Sequence, residues 1–99
     1  MRFGASGGGT VALRKITTTT RYDGTGWYAM RTGSIITLYI TALTGEDTIP
    51  EGWRPQTTMG VLCRTNNYTL VSALVSTDGK ISTRGVGETF RDGTITYHI

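Results

Sequence analysis

Three Asp-Gly pairs, Asp23-Gly24, Asp78-Gly79 and Asp92-Gly93, punctuate this chain between short runs rich in Thr, Val, Ile and Tyr. Asp closes turns through its side chain and Gly tolerates positive φ, so each pair reads as a break between extended segments. β-Branched residues are stiff at χ1 and favour strands. No window of roughly ten residues shows helical periodicity free of Gly, Pro or β-branched runs. The pattern therefore predicts an all-β fold without a long helix.

The strands follow from the punctuation. Val11 to Tyr22 holds four consecutive threonines, Thr17 to Thr20. Trp27 to Thr32 is short and ends at Gly33. Ser34 to Leu43 alternates cleanly, with Ile36, Leu38, Ile40 and Ala42 on one face and Thr37, Tyr39 and Thr41 on the other. Thr44 to Thr58 contains both prolines, Pro50 and Pro55, and is read as irregular. Thr57 to Thr65 resumes as a strand, and Asn66-Asn67 is expected to enter the left-handed region in a hairpin to Tyr68–Thr77. Lys80–Val86 follows Asp78-Gly79. Gly87 to Gly93 is a loop, and Thr94 to Ile99 closes the chain with Ile95, Tyr97 and Ile99 on one face. About seven to eight short strands at this spacing suggest an antiparallel β-sandwich.

The 99 residues make one domain. Residues 1–10, with Ser6-Gly7-Gly8-Gly9, read as a flexible lead-in or linker, either from a longer protein or as a frayed terminus, and residues 11–99 as the sandwich. The net charge of +3 is mild, and the only adjacent basic pair is Arg14-Lys15, so the scattered charge argues against nucleic-acid binding. Acids sit in or beside turns, whereas Arg14, Lys15, Arg31, Arg64 and Arg84 sit inside the predicted strands. No run approaches the roughly 20 apolar residues of a membrane helix, and no membrane insertion is expected. The single cysteine, Cys63, permits neither an internal disulfide nor a cysteine-based zinc site.

Catalytic chemistry is not legible. The one histidine, His98, falls in the terminal strand, which suits an outer-face residue better than a triad base in a rigid cleft. Cys63, in a Gly-Val-Leu-Cys strand, reads as a buried small hydrophobe. Glu46-Asp47 and Glu51 occupy a loop without the marks of a deep pocket, and Ser6–Gly9 lacks the Lys-Ser/Thr of a phosphate loop. No catalytic residue, metal site or cofactor is expected. The aromatics are the better clue. Trp27 and Tyr28 beside the Asp23–Gly26 loop, Asn67 and Tyr68 at the hairpin, and Arg91 and Asp92 in the last loop combine flat rings with hydrogen-bonding groups. That combination suits sugar recognition. Strand alternation requires that one of Trp27 and Tyr28 face the core.

The stretch Thr48 to Pro55 is more specific. Pro50, Gly52, Trp53, Arg54 and Pro55 form a Pro-x-Gly-aromatic-Arg-Pro turn that resembles one in the C-terminal head domains of phage tail-fibre, baseplate and related virion appendage proteins. The flanking Gly26-Trp27-Tyr28, Arg31, Gly33, Ile35-Ile36-Thr37, Asp78-Gly79-Lys80-Ile81 and Gly93–Tyr97 fit the same pattern, so the resemblance covers most of residues 20–99. It implies a jelly-roll-like sandwich that assembles as a homotrimer. It also implies a position on the virion, contact with other appendage proteins, and attachment to a host cell-surface saccharide or protein. The turn itself is structural on physical grounds, with the prolines holding it and Trp53 anchoring it. The competing reading is a monomeric carbohydrate-binding module from a cell-wall hydrolase.

Overall fold

A computed structural model of the protein describes residues 18–99. The predicted lead-in and most of the first predicted strand, including Arg14-Lys15, lie outside the described residues. Nine strands are present among them: β1 (Thr19–Asp23), β2 (Trp27–Thr32), β3 (Ile35–Ile40), β4 (Glu46–Thr48), β5 (Met59–Thr65), β6 (Leu70–Val75), β7 (Lys80–Ser82), β8 (Phe90–Arg91) and β9 (Gly93–His98). They form two antiparallel sheets, one ordered β9-β3-β2-β1 and the other β4-β7-β6-β5-β8. The all-β, antiparallel, two-sheet expectation is met.

The alternation legible in β3 sets the core. Ile36, Leu38 and Ile40 are buried and stand beside Trp27 and Ala29 of β2. The facing sheet contributes Val61, Cys63, Ala73, Val75, Ile81 and Phe90, and Leu43 and Ile49 close the sides. The sheets approach most closely where β9 meets β5. Gly93 makes that approach possible, because a Cβ there would press on Cys63 Sγ, Ile40 and Val61. Cys63 is buried as expected. Its thiol donates to the Val61 carbonyl at 3.4 Å, and burial pushes its pKa up.

Several boundaries differ from the sequence reading. Glu46–Thr48, inside the segment read as irregular, forms β4 by pairing with β7. Phe90–Arg91 forms β8 inside the segment read as a loop, and Leu43 bridges Phe90. Both are two- or three-residue pieces that carry no periodic signal of their own and exist through their partners. The predicted strand Lys80–Val86 stops at Ser82, so Arg84 is not a strand residue. The left-handed residue of the Asn66-Asn67 hairpin is Tyr68 (φ 62°), and that of the Asp92-Gly93 pair is Asp92 (φ 60°).

The Pro50–Pro55 turn lies against the sandwich and is pinned from several elements. Arg31 of β2 donates to the Gly52 carbonyl at 2.8 Å, and Arg54 donates to the Ile49 carbonyl at 2.8 Å. Trp53 packs on the core, Tyr22 tilts against it at 5.9 Å, and the Tyr97 hydroxyl donates to its carbonyl. Pro55 is buried. Burial pushes the Tyr97 phenol from its ordinary 10.0 up to about 12. The unfolded chain therefore loses this proton first as pH rises. The associated stability is complete below about pH 10 and is lost as pH climbs towards 12, amounting to roughly 2–3 kcal/mol. Tyr97→Phe is expected to remove most of this alkaline loss while costing about 1–2 kcal/mol at neutral pH, because it strands the Trp53 carbonyl. Denaturant titrations across pH 8 to about 12 measure both effects.

Candidate functional site

The hairpin between β5 and β6 is held by Thr65, which is fully buried. Its N–H donates to the Thr69 carbonyl at 2.9 Å, and its carbonyl accepts the Tyr68 N–H at 2.9 Å. Its hydroxyl accepts the N–H groups of Asn67 and Thr69, each at 3.3 Å. One buried residue, through its backbone and its hydroxyl, thus fixes the whole loop. The loop in turn holds Tyr68 with φ 62° and 78% of its surface exposed. A bulky aromatic in the left-handed region is a strained choice where Gly or Asn would fit without cost.

β8 brings the second part of the rim. The register sets Arg91 opposite Arg64 and Phe90 opposite Thr65. Arg91 donates to the Asn66 side-chain carbonyl at 2.6 Å and to the Thr41 carbonyl at 3.3 Å. Arg64 pairs with Asp92, donates to the Thr65 carbonyl at 3.2 Å, and places its guanidinium 4.8 Å from the Tyr68 ring centroid. Left-handed Asp92 turns the chain from β8 into β9 and presents its carboxylate to Arg64. The result is an exposed ring backed by a cation, with Asn67, Arg91 and Asp92 at its side. A ring so placed can stack on an apolar sugar face, and the guanidinium, amide and carboxylate groups can exchange hydrogen bonds with hydroxyls.

Of the six residues singled out from sequence, Asn67, Tyr68, Arg91 and Asp92 are brought to this rim. Trp27 and Tyr28 are not, because they lie on β2 of the other sheet. Trp27 is 2% exposed and is a core residue. Its indole N–H donates to Asp47 at 2.8 Å, and its ring stacks on Tyr22 at 5.7 Å. Tyr28 faces outward, but its ring lies between Tyr39 of β3, at 4.7 Å, and the Arg21 guanidinium of β1, at 4.0 Å. Both faces are covered, so neither offers a free stacking surface. Arg64 and Asn66 complete the rim. The readable signals for them were the outward parity of Arg64 and the Asn-Asn turn.

Of the other polar groups, Asp47 has structural work. Asp47 accepts from the N–H groups of Thr25 and Thr48 and from the Trp27 indole. The Thr25 N–H is the main cause that holds its carboxyl below the ordinary 3.8, against partial burial, with the indole and the Thr48 N–H assisting. His98 is exposed on the outer face of β9 opposite Ile35. Among the described residues, no group of three or more His, Cys, Asp and Glu side chains could hold a metal ion. No protein-family model and no curated protein matches the sequence.

Proposed function

We propose that the domain is a non-enzymatic attachment and structural domain of a phage tail appendage, a trimeric head that binds a host cell-surface saccharide through the Tyr68 rim. The observation that carries this reading is Tyr68, an aromatic ring held exposed in left-handed backbone by a buried threonine. Strain kept at an exposed aromatic has a reason when the ring binds something. The Arg64 backing and the polar groups of Asn67, Arg91 and Asp92 supply the rest of a sugar site. The appendage setting, with virion partners and release at lysis, rests on the resemblance of the Pro50–Pro55 turn and its flanking segments.

Tyr68→Gly separates function from folding. Gly accepts φ 62° without strain, so the variant is expected to gain up to about 1 kcal/mol in stability. The same change removes the ring, and saccharide affinity is expected to fall at least tenfold, since stacked rings contribute on the order of 1–2 kcal/mol. A glycan array with both proteins, alongside thermal melts, reads the two effects together. Equal glycan binding by wild type and Tyr68→Gly would sink the rim as the site. Light scattering decides the assembly, because a monomer at micromolar concentration favours a carbohydrate-binding module over a trimeric head.

A further inference from the structure

Among the described residues, β6 is paired along its length on one side only. β5 pairs with it from Leu70 to Val75, whereas β7 pairs with Leu74 and Val75 alone. In an antiparallel ladder, successive residues send their backbone groups alternately to the two neighbours. The Thr65–Thr69 bond places Thr69, Val71, Ala73 and Val75 in exchange with β5. The Ser76 N–H bond to the Lys80 carbonyl places Ser76 and Leu74 in exchange with β7. By the same parity, Ser72 and Leu70 direct their N–H and C=O groups to the β7 side.

Continuing the β6–β7 register would set Arg84 opposite Ser72. Arg84 and Gly85 instead take φ values of 60° and 80°, and the Arg84 N–H bonds the Ser82 hydroxyl at 2.8 Å. The chain turns away, and among the described residues no strand pairs with the β7 side of β6 at Ser72 and Leu70. Beside that edge lies an open recess of about 220 Å³ lined by Val71, Ser72, Thr83, Arg84, Val86 and Phe90. Its one buried polar side chain, Thr83, is satisfied by the Val86 carbonyl at 3.1 Å. Arg84 is exposed and makes no ion pair among the described residues.

We propose that this edge is a docking slot for an extended segment of another protein, which adds as a short strand in the register Arg84 vacates. Strand addition satisfies the backbone groups of Ser72 and Leu70 that no described strand pairs on this side, and alternate side chains give specificity. The recess takes an apolar side chain, and the unpaired Arg84 cation selects an acidic residue next to it. The slot shares none of the Tyr68 rim's residues and does not depend on saccharide binding.

The probe is an end-blocked peptide Thr-Val-Asp-Val-Thr, compared with the same peptide carrying Lys in place of Asp. In the free protein the Ser72 amide is expected to exchange freely with solvent, and the Asp peptide to protect it and shift its NMR signal. The Lys peptide is expected to bind at least tenfold more weakly. Arg84→Asn keeps a residue that tolerates positive φ and is expected to erase that difference. Ser72→Pro removes the open-edge donor where proline is allowed and is expected to abolish binding of both peptides. If Ser72→Pro misfolds, the Arg84→Asn comparison decides. Slow exchange of Ser72 in the peptide-free protein, or unchanged peptide discrimination by Arg84→Asn, overturns the proposal. So does concentration-dependent protection of Ser72 without peptide, which would assign the edge to a second copy of the chain.

Discussion

Trp27→Ala is expected to cost about 4 kcal/mol and to lower the melting temperature by roughly 15–30 °C. The indole is 2% exposed, sits against the buried faces of both sheets and stacks on Tyr22. Gly24 packs directly against the indole, where a Cβ would collide with the ring. The indole N–H is also one of the donors to Asp47, so the substitution loosens the tie between β2 and β4. Asp47→Ala is expected to cost less, about 2 kcal/mol, because Asp47 is only partly buried. Its contribution has a pH signature. A carboxylate whose folded pKa lies below its unfolded value stabilises fully above about pH 4 and ceases to do so as pH falls through the folded value. Wild type is therefore expected to lose stability over that acid range and Asp47→Ala to lose less of it. Melts of the three proteins from pH 7 to about 2 test the scheme. A Trp27→Ala protein that melts within a few degrees of wild type would show that the ring is not a core element.

Gly26→Ala is the second large effect, expected at about 3 kcal/mol or more. The residue has φ 79°, which disfavours any Cβ. Its carbonyl accepts the N–H groups of Thr41 and Ala42 at 2.9 and 3.0 Å, which brings the Ala42 backbone against the place a Cβ would occupy. The obstacle is backbone, so no side-chain rotation relieves it. Displacing this contact shifts the end of β3 and the entry of Trp27 into the core together. Thermal or denaturant unfolding measures the loss, and near-wild-type stability in Gly26→Ala would mean that the loop relaxes freely.

How far the candidate site could be read in advance depends on the kind of constraint involved. The β3 alternation was readable because burial of one face imposes a period of two over all six of its residues. β4 and β8 were not, because strands of two or three residues are defined by hydrogen bonds to partners far along the chain. Trp27 and Tyr28 looked like a binding pair because they are adjacent aromatics beside an Asp-Gly loop. Adjacency in a strand sends one to each face, and sequence does not say which face is covered or what covers it. The Asn66-Asn67 hairpin was legible as a turn, but the strained residue proved to be Tyr68, because the Thr65 hydroxyl and carbonyl dictate the loop's geometry.

Taken by itself, the amino-acid order determined that the described chain is all-β and which segments hold β2, β3, β5, β6 and β9. It also determined that Cys63 is buried and that the Pro50–Pro55 segment is a turn. These follow from local rules, namely χ1 stiffness, turn chemistry and strand parity. Only the tertiary structure decided that β8 carries Arg91 and Asp92 to the Tyr68 hairpin, that Arg21 and Tyr39 cover Tyr28, and that β7 ends early enough to open the edge of β6. Each depends on pairing between residues distant in sequence, and a register across that distance is set by the packed whole.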